Sequence, residues 1–295
     1  MRIHGGRRTV GVVATAAALV LATVWWTTPA QGGAASATRT AQSVDRPMPR
    51  SVNLRLCGNS HADGGTTVCV SDAGNIVRFE SPRGYEHIGV GAFSEGYVLC
   101  ASGLEAFDVG ESQSNWGPPF VTPGPGSGLP GPIHGGSIVR VAGGRLELTQ
   151  SFAFDGPGKR LAITMSVRNV GPDPATNVVL RRQVDFDVDT GGTHGWAGFD
   201  NQHARTSQDS VFAWNSPDAS RGNEAHSMTL RTIDRAAQPP AHRAAVTANI
   251  LETSCDGEPS IATPTSGDFG ETLVYELGTL EPGQRATAIV EYLRS

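Results

Sequence analysis

The sequence predicts an all-β protein built as one large two-sheet antiparallel sandwich. After residue 50 the 295-residue chain is a succession of short alternating or β-branched runs, separated by glycine, proline, asparagine and aspartate. Such runs, with turn signals about every eight to twelve residues, are typical of sandwiches and barrels. Beyond the N-terminal segment, no stretch of about a dozen residues has the periodicity of an amphipathic helix.

The N-terminal segment has the layout of a secretory signal peptide. Three arginines within the first eight residues precede an apolar run over 10–26, and two small-residue cleavage contexts follow it. An uncleaved membrane anchor is the alternative, because a spanning helix needs roughly 17–25 residues. We expect a signal peptide over 1–37, a flexible lead-in over 38–50 and a single sandwich domain over 51–295 in a secreted protein.

The charge of the chain argues against two classes of partner. The full chain carries −5, and removal of residues 1–37 leaves 20 basic against 28 acidic residues, a net charge of −8. An acidic surface disfavours nucleic acid and anionic membrane. No second apolar stretch is long enough to cross a bilayer, so we expect no membrane contact after cleavage and an extracellular ligand as partner.

Four cysteines remain after the leader, and an even number in an exported chain favours disulfides. Of the three pairings that four cysteines allow, we favour Cys57–Cys69 across a turn and Cys100–Cys255 around a long loop. No Cys-x-x-Cys pair is present, so a zinc site is disfavoured.

The candidate strands follow from the alternating runs in chain order. They are 51–57, 66–70, 75–80, 86–91, 96–101, 104–109, 137–142, 145–154, 160–169, 176–189, 210–214, 227–233, 243–252, 271–277 and 285–293. Short glycine- and proline-containing turns at 143–144, 155–158 and 170–174 predict an antiparallel meander over 137–189. The segment Gly117–Gly136, with seven glycines and six prolines, predicts no regular strand. It is either a mobile connection or a recognition loop that presents Trp116 and Phe120.

The predicted strand over 176–189 is the most informative part of the chain. Successive side chains of a strand point to opposite faces, so its apolar residues share one face and its carboxylates the other. Arg182 falls on the apolar face, and a buried guanidinium needs a carboxylate partner. Glu95 or Glu147 from other strands could supply it.

The carboxylates of the other face are the first candidate site, and something positive should neutralise them. Residues two apart on a strand lie about 6.6 Å apart, close enough to repel. The row could be paired with Arg181 or Arg168, could be hydrated on an exposed face, or could bind Ca²⁺ through oxygen ligands. The aspartates of this candidate metal site are Asp185, Asp187 and Asp189.

The glycine-rich loop that follows is the second candidate. It carries an aromatic ring, amides and imidazoles beside the acidic row, which is what a sugar-binding cleft requires. The alternative is a loop that only covers the sheet edge. The candidate ligand-binding residues are Asp185, Asp187, His194, Trp196, Asp200 and His203. No nucleophile elbow, zinc-protease helix, phosphate loop or dinucleotide fingerprint is present.

Several of these patterns resemble uncharacterised secreted bacterial β-sandwich domains. They are Glu95–Cys100, Leu146–Phe154, Val167–Gly171, Val179–Asp189 and Tyr275–Arg285. The arrangement is also similar to large sandwiches of the galactose-mutarotase type. In those enzymes a histidine and a glutamate act, and no residue of this chain matches those positions.

Two functions remain. The favoured one is a secreted, non-catalytic protein that binds an extracellular or cell-surface ligand, such as a glycan, through residues 185–203. The alternative is a carbohydrate-active enzyme, mutarotase- or lyase-like, that uses His194 or His203 with Asp185 or Asp187 in acid–base chemistry.

Overall fold

The computed structural model describes residues 54–61, 64–89, 94–125, 131–189, 201–215, 226–233, 239–257 and 259–295. The predicted signal peptide and lead-in lie outside these residues. So do three of the candidate site residues, His194, Trp196 and Asp200. No helix in the described ranges is sufficiently long and apolar to span a membrane.

The described chain is all-β, as predicted. Its strands, in chain order, are β1 (Leu54–Ser60), β2 (Thr66–Ser71), β3 (Ile76–Glu80), β4 (Glu95–Ala101), β5 (Leu104–Val109), β6 (Ser112–Ser114), β7 (Phe120–Thr122), β8 (Gly131–Pro132), β9 (Ser137–Ala142), β10 (Leu146–Asp155), β11 (Arg160–Asn169), β12 (Ala175–Asp185), β13 (Gln202–Arg205), β14 (Ser210–Trp214), β15 (Ser227–Thr232), β16 (Ala241–Thr247), β17 (Thr265–Ser266), β18 (Gly270–Leu280) and β19 (Arg285–Arg294).

Two large antiparallel sheets form the sandwich. One has nine strands in the order β17-β13-β14-β15-β19-β11-β10-β9-β7, and the other has six in the order β16-β18-β12-β4-β5-β6. A smaller sheet, β3-β2-β1-β8, adds a parallel contact between β1 and β8. The alternation of apolar and polar side chains along the strands explains the packing. Leu180 and Val184 point inward from β12 and are wholly buried in one apolar core with the inward side chains of β10 and β11.

The predicted meander is correct for three strands and wrong for the fourth. Strands β9, β10 and β11 pair in sequence, but β12 lies between β4 and β18 in the other sheet. The free edge of β11 is taken by β19, so the turn after Asn169 carries the chain across the sandwich. A strand over 86–91 is also wrong for residues 86–89, where only an isolated bridge between Glu80 and Glu86 forms.

The glycine- and proline-rich segment contains two short strands, contrary to the prediction. Phe120–Thr122 pairs with β9, and Gly131–Pro132 pairs with β1. Trp116 is only partly exposed, since it packs against the core beneath the guanidinium of Arg140. Phe120 is 69% exposed.

Both favoured disulfides are present. Cys57 and Cys69 face each other across the β1–β2 pair, and Cys100–Cys255 joins β4 to the connection between β16 and β18 across 155 residues of sequence. Two bridges are consistent with an oxidising compartment outside the cytoplasm.

Candidate functional site

The candidate site lies at the carboxyl-terminal end of β12. Asp185, the last residue of the strand, stands opposite Gly270 of β18, and its backbone N–H donates to Ser94 O at 2.7 Å. Two residues later the N–H of Asp187 donates to His87 O at 3.1 Å. These bonds hold both aspartates against the segment that precedes β4.

Asp185 and Asp187 are buried beside two further acids, and we call these four residues the acidic cluster: Asp185, Asp187, Asp268 and Glu271. The two strand-end aspartates are 6% and 8% exposed. Burial, followed by the charges of Asp187, Glu271 and Asp268, raises the pKa of Asp185 to about 9. Burial, followed by the charges of Asp268 and Glu271, raises the pKa of Asp187 to about 7. Asp185 and Asp187 therefore keep protons at a pH where isolated aspartates have lost them.

His203 of β13 closes the acidic cluster from the opposite sheet. Its Nδ1 lies 2.5 Å from Oε1 of Glu271, and its Nε2 lies 2.9 Å from Gly267 O. Because a carbonyl oxygen only accepts, Nε2 carries a proton. Burial is the largest single influence on the pKa of His203 and lowers it. The hydrogen bond to Glu271 and the charge of Glu271 act in the opposite direction, and the pKa is raised overall. Both ring nitrogens are thus engaged by the protein.

Asp189 turns away from the acidic cluster and meets two histidines. Its Oδ1 lies 2.5 Å from Nδ1 of His226, and its N–H donates to Nδ1 of His87 at 3.2 Å. Nε2 of His87 lies 2.8 Å from Ser81 O, so this ring is the neutral Nε2–H tautomer. Burial lowers the pKa of His87 to about 4, which agrees with that tautomer.

The outward face of β12 is covered, and of the alternatives for its carboxylates the hydrated, exposed face is wrong. Residues 248–257, which we call the covering segment, lie across it. The side chain of Gln183 donates to Glu252 O at 2.5 Å and accepts from Glu252 N at 3.0 Å. Arg181 Nη1 donates to Ser254 O at 3.0 Å. These bonds replace water on a face that alternation alone predicts to be wet.

The sequence suggested that Arg181 or Arg168 pairs with the aspartates of β12, and the structure places neither arginine in that role. Arg181 shares the face but donates to Thr272 Oγ1 at 3.0 Å, and Arg168 is exposed on β11 in the opposite sheet. The main influences on the pKa values of Asp185 and Asp187 are burial and neighbouring carboxylates, and no described arginine is among them.

Several oxygens of the site have no hydrogen-bond partner among the described residues. They include Oε2 of Glu271 and Oδ1 of Asn201, both buried. The other end of the Asn201 amide donates to Phe186 O at 2.6 Å. No hydrogen bond is among the main influences on the pKa values of Asp185 and Asp187. The site therefore presents acceptor groups that the protein itself leaves unused.

The metal prediction rests on the same carboxylates. In the residues that the structure describes, no three histidine, cysteine, aspartate or glutamate side chains are arranged to hold a metal ion. Asp189 already binds His226, whereas Asp185 and Asp187 face Asp268 and Glu271. Ca²⁺ at Asp185, Asp187 and Asp189 stays a prediction.

Sequence reasoning missed two members of the acidic cluster and the partner of Asp189. The position of Glu271 could have been predicted, because it has the two-residue spacing of the inward-facing Leu273 and Tyr275. The structure places it opposite Val184. A charged residue in such a register indicates a buried partner. Nothing local to Asp268 or His226 predicts their place, which depends on tertiary packing.

Comparisons with known proteins identify no family for this chain. No protein-family model matches it, and no curated protein matches it. Among solved structures it is similar to a protein described as a kojibiose phosphorylase from the human microbiome, with 9% identity and a TM-score of 0.35. The match covers 82% of this chain and 26% of that one, so this chain spans about a quarter of that structure. The likeness is too distant to carry an argument about function.

Proposed function

We propose that this protein is an exported, non-catalytic β-sandwich that binds an extracellular glycan at the end of β12. One observation carries the proposal: Asp185 and Asp187 are more than nine-tenths buried, and beside them Oε2 of Glu271 and Oδ1 of Asn201 are buried with no hydrogen-bond partner among the described residues. A buried polar group without a partner costs free energy. A ligand rich in hydroxyl donors removes that cost when it binds.

The chemistry of the site suits a sugar better than an anion. Carboxyl groups form hydrogen bonds with sugar hydroxyls, whereas four neighbouring acids offer an anionic group no positive charge. The predicted loop residues His194, Trp196 and Asp200 follow Asp189 closely in the chain. In this proposal Trp196 supplies the ring that stacks on the sugar, and the aspartates fix its orientation.

Export is the second part of the proposal. Two disulfides and a leader-like N-terminal sequence support it together. Secretion of a tagged full-length chain into the medium, with its N-terminus read by mass spectrometry, tests this part directly. A mature protein that begins near residue 38 is expected, and a product that retains residue 1 contradicts cleavage.

A glycan array tests the binding proposal. We expect the wild type to bind a defined set of glycans, and Trp196→Ala and Asp187→Asn each to weaken binding about tenfold, the loss of a charge-assisted hydrogen bond or a stacking contact. Asp173→Asn is the matched control, because this exposed aspartate lies in the turn between β11 and β12. No binding by the wild type, or equal binding by Asp187→Asn and Asp173→Asn, contradicts the proposal.

A carbohydrate-active enzyme is the second candidate, favoured by the unequal pKa values of Asp185 and Asp187. Two carboxyl groups held at different pKa values can serve as acid and base, and perturbed carboxyls cluster at active sites. His203 is a poor proton-transfer group, since both its nitrogens are bound within the protein. In this candidate Asp187 is the base, Asp185 the acid and His194 the histidine.

Incubation with polysaccharides, followed by reducing-end analysis, tests the enzyme candidate. Release of new reducing ends by the wild type that Asp187→Asn and His194→Ala abolish supports it. Activity that survives both substitutions contradicts the residue assignment. The absence of any new reducing end contradicts an enzyme that cleaves polysaccharides.

A further inference from the structure

A polar cavity of about 540 Å³ opens at the β1–β2 hairpin, away from the end of β12. Its walls include Asn59, Thr67 and His61 from the hairpin, with Arg78, Glu80 and Arg83 from β3 and the turn that follows. Its volume lies in the range of small-ligand sites, roughly 300–1,000 Å³.

The hairpin and the turn are fixed to each other, so the cavity is built rather than incidental. The backbone N–H of Arg83 donates to Gly64 O at 3.1 Å. Gly64 and Gly65 adopt φ values of +82° and +92°, a conformation that side chains rarely allow. These two glycines place the hairpin tip directly against the turn.

Glu80 orients one arginine of the cavity. Its side chain is buried, accepts a hydrogen bond from the N–H of Gly84 and forms an ion pair with Arg78. Arg78 Nε also lies 3.9 Å from Oε2 of Glu86, while 43% of the Arg78 side chain remains exposed. The guanidinium is therefore anchored by carboxylates below and open to the cavity above.

Arg83 adds a second guanidinium whose charge is not neutralised. It is exposed, and no ion pair or side-chain hydrogen bond joins its guanidinium to another described residue. Glu80 and Glu86 balance Arg78, whereas Arg83 brings to the cavity a guanidinium that forms no ion pair with a described carboxylate.

We propose that this cavity binds the carboxylate of an acidic sugar. The fork of a guanidinium matches a carboxylate in two parallel hydrogen bonds. The amide of Asn59 and the hydroxyl of Thr67 are suited to the ring hydroxyls beside that carboxylate. A neutral sugar gains little from two arginines, and a free metal ion is repelled by them.

The cavity is a site distinct from the acidic cluster, and neither proposal requires the other. The segment between β3 and β4 runs between them: Glu86 lies near Arg78 at one side, and its charge helps to raise the pKa of Asp187 at the other. The acidic cluster disfavours anions, whereas the cavity selects them, so opposite ligand charge separates the two sites experimentally.

Isothermal titration with an oligogalacturonate tests the proposal on the mature protein. The methyl-esterified oligomer is the matched ligand, because it keeps the hydroxyls and loses the charge. We expect the free acid to bind, with affinity that falls as salt rises, and the ester to bind about tenfold more weakly. Arg83→Gln should weaken binding of the acid by about tenfold, and Arg83→Lys should restore only part of it.

Arg285→Gln is the control variant, because it removes the same charge from an exposed position on the β18–β19 hairpin. Failure of the wild type to bind the acid overturns the proposal. So does equal binding of acid and ester, or equal affinity of Arg83→Gln and Arg285→Gln. Competition by sulfate alone at millimolar concentration would show that the cavity recognises charge without the sugar, and would overturn the acidic-sugar assignment.

Discussion

Arg182 and Glu95 form an ion pair in the middle of the sandwich, with Nε 2.5 Å from Oε1 and both side chains wholly buried. Tyr292 OH donates to the same Oε1 at 2.6 Å, and the backbone N–H of Ile76 donates to Oε2 at 2.7 Å. Arg182 also donates to Gln150 of the opposite sheet at 2.7 Å. The pair therefore joins β4 and β12 of one sheet to β10 and β19 of the other.

Breaking this pair should destabilise the protein strongly. Glu95→Gln keeps the shape of the side chain but leaves the charge of Arg182 buried without a carboxylate, which costs about 3–5 kcal/mol. Urea denaturation followed by tryptophan fluorescence measures the change. Glu276→Gln, an exposed glutamate of β18, should change the free energy of unfolding by less than about 0.5 kcal/mol. A loss of similar size in both variants contradicts the role of the pair.

The covering segment should depend on the Cys100–Cys255 disulfide. Without the bridge, the hydrogen bonds of Gln183 and Arg181 to this segment still hold it over β12. We expect Cys255→Ser with Cys100→Ser to increase amide hydrogen exchange over 248–257 and to lower stability by about 3–5 kcal/mol, as closure of a long loop suggests. Removal of Cys57–Cys69, which closes a short loop, is the comparison. Unchanged exchange in the covering segment would contradict its dependence on the bridge.

Stability should fall as pH rises through the titration of the acidic cluster. The folded-state pKa values of Asp185 and Asp187 are raised, so between about pH 4 and 9 the folded state holds protons that the unfolded state has lost. The free energy of unfolding therefore decreases with pH over that window. Between pH 7 and 9 the free energy of unfolding of Asp185→Asn should therefore fall by about 1–2 kcal/mol less than that of the wild type. His87 contributes little to this difference, because it is largely neutral in both states over that range. Thermal melts at both pH values, with Asp173→Asn as control, measure the difference, and parallel curves would count against it.

The fold could be predicted because its signals are local. Alternation along 160–169 and 210–214 predicts the bounds of β11 and β14, and the inward position of Arg182 predicts a buried acid partner, which Glu95 supplies. The strand after Val170 was assigned to the wrong sheet, since a short turn does not show whether the next strand pairs or crosses. The strand crosses to the other sheet because β19 pairs with the edge of β11. β19 lies more than a hundred residues further along the sequence.

The site was predicted less well, for two physical reasons. Alternation shows which side chains of β12 point outward, but it does not show that the covering segment buries Gln183 and Arg181. It also fails beyond the strand end, where the chain after Asp185 turns so that Asp189 meets His226. Strand periodicity holds only while the ladder continues.

The most direct test of the account measures the protonation of the two strand-end aspartates. In protein labelled with ¹³C at aspartate side chains, the carboxyl carbon shift reports each ionisation as pH is varied. We predict two aspartate resonances that titrate above pH 6, the higher lost in Asp185→Asn and the lower in Asp187→Asn. If every aspartate of the wild type titrates below pH 5, these carboxylates are not buried without partners, and the proposed glycan site loses its basis.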